Sequence, residues 1–185
     1  MNQRYLISGL ILGACAPVSI VAAADYLSID AAQRAVFPEA DAFQEVVLNL
    51  RPDQLQAILK QAGEQPTHGT IRLWRATRHG VLIGHMFVDE VIGRQNLITY
   101  ALGIDATGHI RDLEIMAYRE SHGGEVRNPA WRGQFAQRDD LEQLRFGSDI
   151  KNISGATLSS EHVTQGVRWL LALWQAALKP ADAAA

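Results

Sequence analysis

The sequence predicts an α+β fold, an antiparallel β-sheet of about four to six strands packed against helices from both ends of the chain. Three observations carry this. Between Thr70 and Met116, short runs rich in Ile, Val, Leu and aromatic residues are punctuated by turn signals, the pattern of an antiparallel meander. Ahead of it lie two segments with helix-start and helix-stop residues. After it comes a long segment with apolar residues at helical spacing.

In chain order, "SIDAAQRAVFP" opens with Ser28 as a cap, carries Ile29, Ala32, Val36 and Phe37, and stops at Pro38, which predicts a short helix. "FQEVVLNL" is strand-like. "RPDQLQAILKQAG" places Pro52 in a first turn, Leu55, Ile58 and Leu59 on one face and Gly63 at the end, so a second helix follows. Four strands come next, "TIRLWRAT", "VLIGHMFVDEV", "NLITYALGI" and "IRDLEIMAY", with "RHG" (Arg78 to Gly80) and "DATG" (Asp105 to Gly108) as turns. A loop with two glycines leads to "PAWRGQF", a short helical turn, and then to a polar stretch ending at Asn152. From Ser159 to Leu178, Val163, Val167, Leu170, Leu171, Trp174 and Leu178 form one apolar stripe, which predicts a helix packed on the sheet.

At 185 residues and 48% hydrophobic, the chain has enough apolar material for one core and too little for two, so a single domain over residues 25–180 is expected, with 181–185 as a frayed tail. A formal net charge of −3 and the lack of any Lys/Arg run exclude a nucleic-acid partner, which needs a clustered basic surface.

Residues 1–24 differ in composition: Arg4, then an apolar run, then small residues before Asp25. This is the pattern of a secretory signal, cleaved after Ala22 to Ala24. Two other readings stand beside it. "LGAC" has the form of a lipoprotein site that acylates Cys15, and the run from Tyr5 to Ala24 is long enough to span a bilayer uncut. All three place the domain outside the cytoplasm, in the periplasm or on the extracytoplasmic face of a membrane. Cys15 is the only cysteine, so the domain beyond it has no disulfide, zinc ribbon, iron–sulfur site or thiol redox chemistry.

The six histidines, His68, His79, His85, His109, His122 and His162, show no metal-ligand spacing, and each alone is expected at a solvated surface. No metal site is expected. There is no G-x-S-x-G elbow, and Ser160 beside His162 is accounted for by helix capping.

"SGATLSS", Ser154 to Ser160, stands at the mouth of the last helix. Gly155 permits an unusual backbone conformation there, and Thr157 is placed to cap the helix. The position also suits a phosphate: a helix start offers unpaired N–H groups, and Gly155 and Ala156 add no bulk.

With "DIKNISGATLSS" and "IMAYRESHGGEVRNPAWRGQF" both present, the sequence resembles the FMN-binding domain found in the C subunit of the sodium-translocating NADH:quinone reductase and the G subunit of the Rnf complex. The resemblance covers Val81 to Leu171 well and Asp25 to Thr77 only loosely. Ser121 and His122 replace the Thr-Pro of the family's loop, and the chain looks closer to stand-alone, exported members.

The resemblance implies FMN held covalently, as a phosphoester on Thr157, with Ser154, Gly155 and Ala156 beside it. Asp149, with Ser154 to Thr157, is then the recognition site of a magnesium-dependent flavin transferase that uses FAD. Glu120, His122, Gly123 and Gly124 are the implied surroundings of the flavin ring, and Trp131 and Phe135 are packing residues. The implied function is an extracytoplasmic electron carrier with a membrane or periplasmic redox partner, rather than a complete enzyme. Two alternatives stand beside it, an exported sensory or regulatory module that binds FMN noncovalently, and a structural accessory subunit with no chromophore.

Overall fold

The structure, a computed structural model, describes residues 24–66, 69–120 and 122–179. Cleavage after Ala22 to Ala24 is read from a segment that falls outside these residues up to position 23, and acylation of Cys15, His68, Ser121 and the tail 181–185 lie outside them too.

The strands are β1 (Ala24–Asp25), β2 (Ala42–Val46), β3 (Arg72–Arg78), β4 (Val81–Ile92), β5 (Leu97–Asp105) and β6 (Ile110–Tyr118). They form one six-stranded sheet in the order β1-β6-β5-β4-β3-β2, antiparallel throughout. β2 to β6 are the expected meander extended by one strand. β1 has no counterpart among the expected strands: it is two residues long, and it exists only because β6 offers a free edge at Ala117 and Tyr118.

The helices are α1 (Ile29–Val36), α2 (Pro52–Ala62), α3 (Pro129–Arg132) and α4 (Thr157–Ala177). They cover both faces of the sheet. On one face α2 and α4 pack over Leu73, Phe87, Val91, Ile98, Tyr100 and Leu102. On the other, Ala32, Val36 and Phe37 at the end of α1 meet Trp74, Ala76, Met86, Val88, Ala101 and Met116. Burial on both faces explains why "VLIGHMFVDEV" is almost continuously apolar where a half-exposed strand would alternate. The end of α1 lies so close to the sheet that a Cβ on Gly84 would be 2.6 Å from the Phe37 ring.

α1 starts as expected, with Ser28 Oγ accepting from Ala31 N at 3.2 Å. α4 departs from expectation in two ways. It begins at Thr157 rather than Ser159, and Ala156 is its N-cap residue, with no side chain capping it. Thr157 is therefore the first helical residue, and its hydroxyl does not serve as the cap.

The expectation of surface histidines also fails at His85. It lies in the middle of β4, 5% exposed, and its Nδ1 accepts from Trp174 Nε1 at 3.1 Å, which ties α4 to the sheet. Burial, helped by the nearby Arg75 charge, pulls its pKa from 6.5 down to about 4. The sign of the pH effect follows. An unfolded chain takes up this proton near pH 6.5 and the folded one only near pH 4, so stability from this group is full above 6.5 and is lost as pH falls towards 4. We expect urea unfolding to lose about 2–3 kcal/mol between pH 7 and 4.5 from this residue. His85→Gln, which keeps an acceptor for Trp174 but does not titrate, should flatten that slope; an unchanged slope would show that His85 is not its source.

Candidate functional site

The last helix is introduced by a tight turn. Ala156 N donates to Ile153 O at 2.9 Å, with Ser154 and Gly155 between them. Gly155 has φ +84°, the left-handed value that the third position of such a turn demands, so a β-carbon there would be strained. The turn delivers Ala156 into the interior and leaves Thr157 exposed at the first position of α4. Ser160 steadies this start from below, its N–H reaching Ala156 O at 2.9 Å and its hydroxyl lying 3.0 Å from both Ala156 O and Thr157 O. With no capping side chain, the first-turn amides stay available to an anion.

The segment before the turn is gripped by α3 and the residues just after it. Trp131 Nε1 donates to Lys151 O at 2.8 Å, and Lys151 N donates to Gln134 Oε1 at 2.9 Å. Trp131 and Phe135 are buried, edge to face with ring centroids 5.2 Å apart, in the packing role expected of them.

The glycine loop after β6 comes to the same place. Tyr118 Oη donates to His122 O at 2.6 Å, and because that uses its only hydrogen, it accepts from Ser159 Oγ at 3.1 Å. Burial raises the Tyr118 pKa, with Ser159 opposing and the Glu120 and Glu125 charges adding, so the hydroxyl stays protonated. Gly123, with φ +90°, touches the SGAT turn: a Cβ there would lie 2.5 Å from Tyr118 Oη and 2.8 Å from Ala156 Cβ. Two sequence blocks more than thirty residues apart are thus in direct contact through Gly123 and Ala156.

Between them opens a cleft of about 620 Å³. Among the residues expected here, Glu120, His122, Gly155, Ala156 and Thr157 line it. Gly123 lies just beneath, against Ala156. The remainder stand apart. Ser154 is an exposed turn residue, and Gly124 begins a 3-10 turn (Gly124–Arg127) where a Cβ would meet no atom within 4 Å. Asp149 sits in the preceding turn, where its carboxylate accepts from Arg145 Nε at 2.8 Å and from Ser148 Oγ at 3.2 Å. The Arg145 hydrogen bond, against a smaller desolvation, holds its pKa below the ordinary carboxylate value.

Glu120, besides lining the cleft, binds the β4–β5 turn. Oε1 accepts from Gln95 N at 2.5 Å and Asn96 N at 2.8 Å, and Oε2 lies 3.4 Å from Asn96 Nδ2. Desolvation would raise its pKa, but the backbone amides of Asn96, Gln95 and Arg94 with the Asn96 side chain outweigh it and hold the carboxyl below its usual value. The carboxylate is thus anchored to the β4–β5 turn. That turn supplies Arg94 and Gln95 to the cleft, and α4 adds Leu158 and Ser159. Sequence reasoning missed Arg94 and Gln95, since "GRQN" shows nothing of where the hairpin ends, while Leu158 and Ser159 fall within "SGATLSS" without an assigned place in the site. A second recess, of about 530 Å³, lies between β6 and the start of α1 and holds neither motif.

Residues 93–172 match the family model described as FMN-binding domain. The match begins at the β4–β5 turn and ends within α4, so it spans every wall of the cleft. The chain also resembles the solved structure of NqrC from Shewanella oneidensis, with a TM-score of 0.50, 14% identity, and coverage of 77% of this chain and 84% of that one, a likeness of fold. No curated protein matches by sequence.

Proposed function

We propose, from the match of residues 93–172 to the FMN-binding domain model, that the chain is an extracytoplasmic electron-transfer protein that carries FMN covalently on Thr157. The observation that supports it most is the placement of one hydroxyl. Thr157 is exposed, uncommitted to a cap, at the amide-bearing start of α4, and opens on a cleft walled by the glycine loop.

The residues fit the group. A phosphoester at Thr157 Oγ1 has Gly155 and Ala156 just before it in the chain, so no bulky side chain from the turn competes for the space. The first-turn amides and the positive end of α4 favour the remaining negative charge. The cleft is of the size that small-molecule sites commonly have, about 300–1,000 Å³. Tyr118, Ser159 and Gly123 hold the two walls at a set spacing. Bound FMN supplies one- and two-electron redox chemistry, and the protein supplies position and electrostatics.

A threonine hydroxyl is a poor nucleophile near neutral pH, so loading calls for a flavin transferase. The bond formed is Thr157 Oγ1 to the FMN phosphorus of FAD; the pyrophosphate bond breaks, AMP leaves, and the hydroxyl proton is lost to solvent. Asp149 and the turn from Ser154 to Ala156 form the region such an enzyme would read, with Ser154 and Gly155 exposed at its surface. Localisation outside the cytoplasm suits a covalent bond, since a dissociated flavin would not be readily replaced there. The redox partner is expected at or near a membrane.

Mass spectrometry of full-length protein co-expressed with a flavin transferase should find an FMN residue on the peptide containing Thr157. Yellow protein that loses its colour on acid precipitation would instead support noncovalent binding by a regulatory module. Colourless protein under the same conditions would leave the structural accessory reading.

A further inference from the structure

We propose that Arg94 is the cationic partner of the phosphoryl group on Thr157, and that Glu120 and His162 serve that group by fixing the turn from which Arg94 projects. The inference rests on the reading of Thr157 above and goes beyond it by assigning three residues outside the SGAT motif.

The β4–β5 turn is held unusually well for an exposed hairpin end. It is closed by Gly93 N donating to Asn96 O at 2.7 Å. Glu120 takes the next two amides, Gln95 N and Asn96 N, as described. On the other side His162, on α4, places Nδ1 2.6 Å from Ile92 O. A carbonyl only accepts, so Nδ1 carries the hydrogen and donates. The turn is therefore tied to both other walls of the cleft, the β6 loop through Glu120 and α4 through His162. Gly93 is part of the device: a Cβ there would be 2.7 Å from Glu120 Oε1, so a side chain would push the carboxylate off the amides.

Glu120 already accepts three protein donors, so its carboxylate is committed first to the turn. Arg94 is what the clamped turn presents. It is exposed, it lines the cleft, and it is the only lysine or arginine that does so among the described residues. A threonine phosphodiester is a monoanion that desolvation in a cleft makes costly unless paired, and guanidinium is the side chain best shaped to pair with phosphate oxygens. The Glu120 charge on the same side makes that cation more necessary, since two anions would otherwise face each other across the opening.

The experiment compares full-length wild type, Arg94→Gln, Arg94→Lys, Glu120→Ala and the double variant Glu120→Ala/Arg94→Gln, with Arg78→Gln, exposed on β3 away from the cleft, as a charge control. The initial rate of FAD-dependent labelling by a flavin transferase is read by in-gel fluorescence, and the loaded proteins are examined by 31P NMR. Arg94→Gln should slow labelling at least about tenfold, the scale of one charge-assisted hydrogen bond, and shift the phosphodiester resonance. Arg94→Lys should fall between, and Arg78→Gln should match wild type. Glu120→Ala should reproduce the Arg94→Gln effect, and the double variant should be no slower than Arg94→Gln alone.

Wild-type rate and resonance in Arg94→Gln would overturn the Arg94 assignment while leaving Thr157 as the attachment site. Additive losses in the double variant would show Glu120 acting directly, against the positioning role. Wild type that takes no label at all would refute the Thr157 reading itself, and this inference with it.

Discussion

Thr157→Val is expected to abolish covalent flavin attachment while leaving the fold intact. The substitution exchanges a hydroxyl for a methyl on the same branched frame, so shape and helix propensity barely change. In most proteins such a change at a helix start would also remove a cap and cost about 1 kcal/mol. Here it removes none, because no side chain caps α4 and Thr157 is exposed. Unfolding free energy should stay within about 0.5 kcal/mol of wild type, while flavin fluorescence on a denaturing gel disappears. Fluorescence that persists in Thr157→Val would move the attachment elsewhere. A large loss of stability would mean that the hydroxyl has a structural partner after all.

Gly123→Ala should have the opposite signature, damaging fold and site together. At φ +90° a β-carbon carries a left-handed penalty of about 1–2 kcal/mol. It would also press on Tyr118 Oη and on Ala156, an overpacking cost of about 1–3 kcal/mol. We expect urea unfolding to show a loss of about 2–5 kcal/mol in total, with slower flavin labelling because Ala156, one residue before Thr157, is displaced. The neighbouring Gly124→Ala is the internal comparison. Nothing lies within 4 Å of a Cβ there, and Gly124 is absent from the glycines with positive φ, so stability should change by less than about 0.5 kcal/mol. Equal effects of the two substitutions would contradict the contact between the glycine loop and the SGAT turn.

The two glycines look alike in "SHGGE", and no local rule separates them. Only the approach of α4 to the β6 loop makes one indispensable and the other incidental. His85 shows the same thing on a strand: period-two reasoning leaves a histidine at a sheet surface, and it is α4, bringing Trp174 over β4, that buries it. The strand order beyond the meander was likewise hidden, because β1 is too short to carry a pattern and depends on the edge β6 leaves open.

What the sequence determined by itself were the features that depend on neighbours in the chain. These are the four long strands and their turns, the helix caps and stops at Ser28, Pro52 and Gly63, the apolar stripe of α4, and the SGAT turn with a hydroxyl at its end. Local backbone preference and side-chain periodicity are enough for those. The tertiary structure decided which groups face that hydroxyl. It gave Glu120, which lines the cleft, a hold on the β4–β5 turn, set His162 against Ile92, and brought Arg94 to the cleft from a hairpin more than sixty residues away in the chain. Such partners are chosen by how a sheet and a helix pack in three dimensions, and spacing along the chain carries no record of that choice.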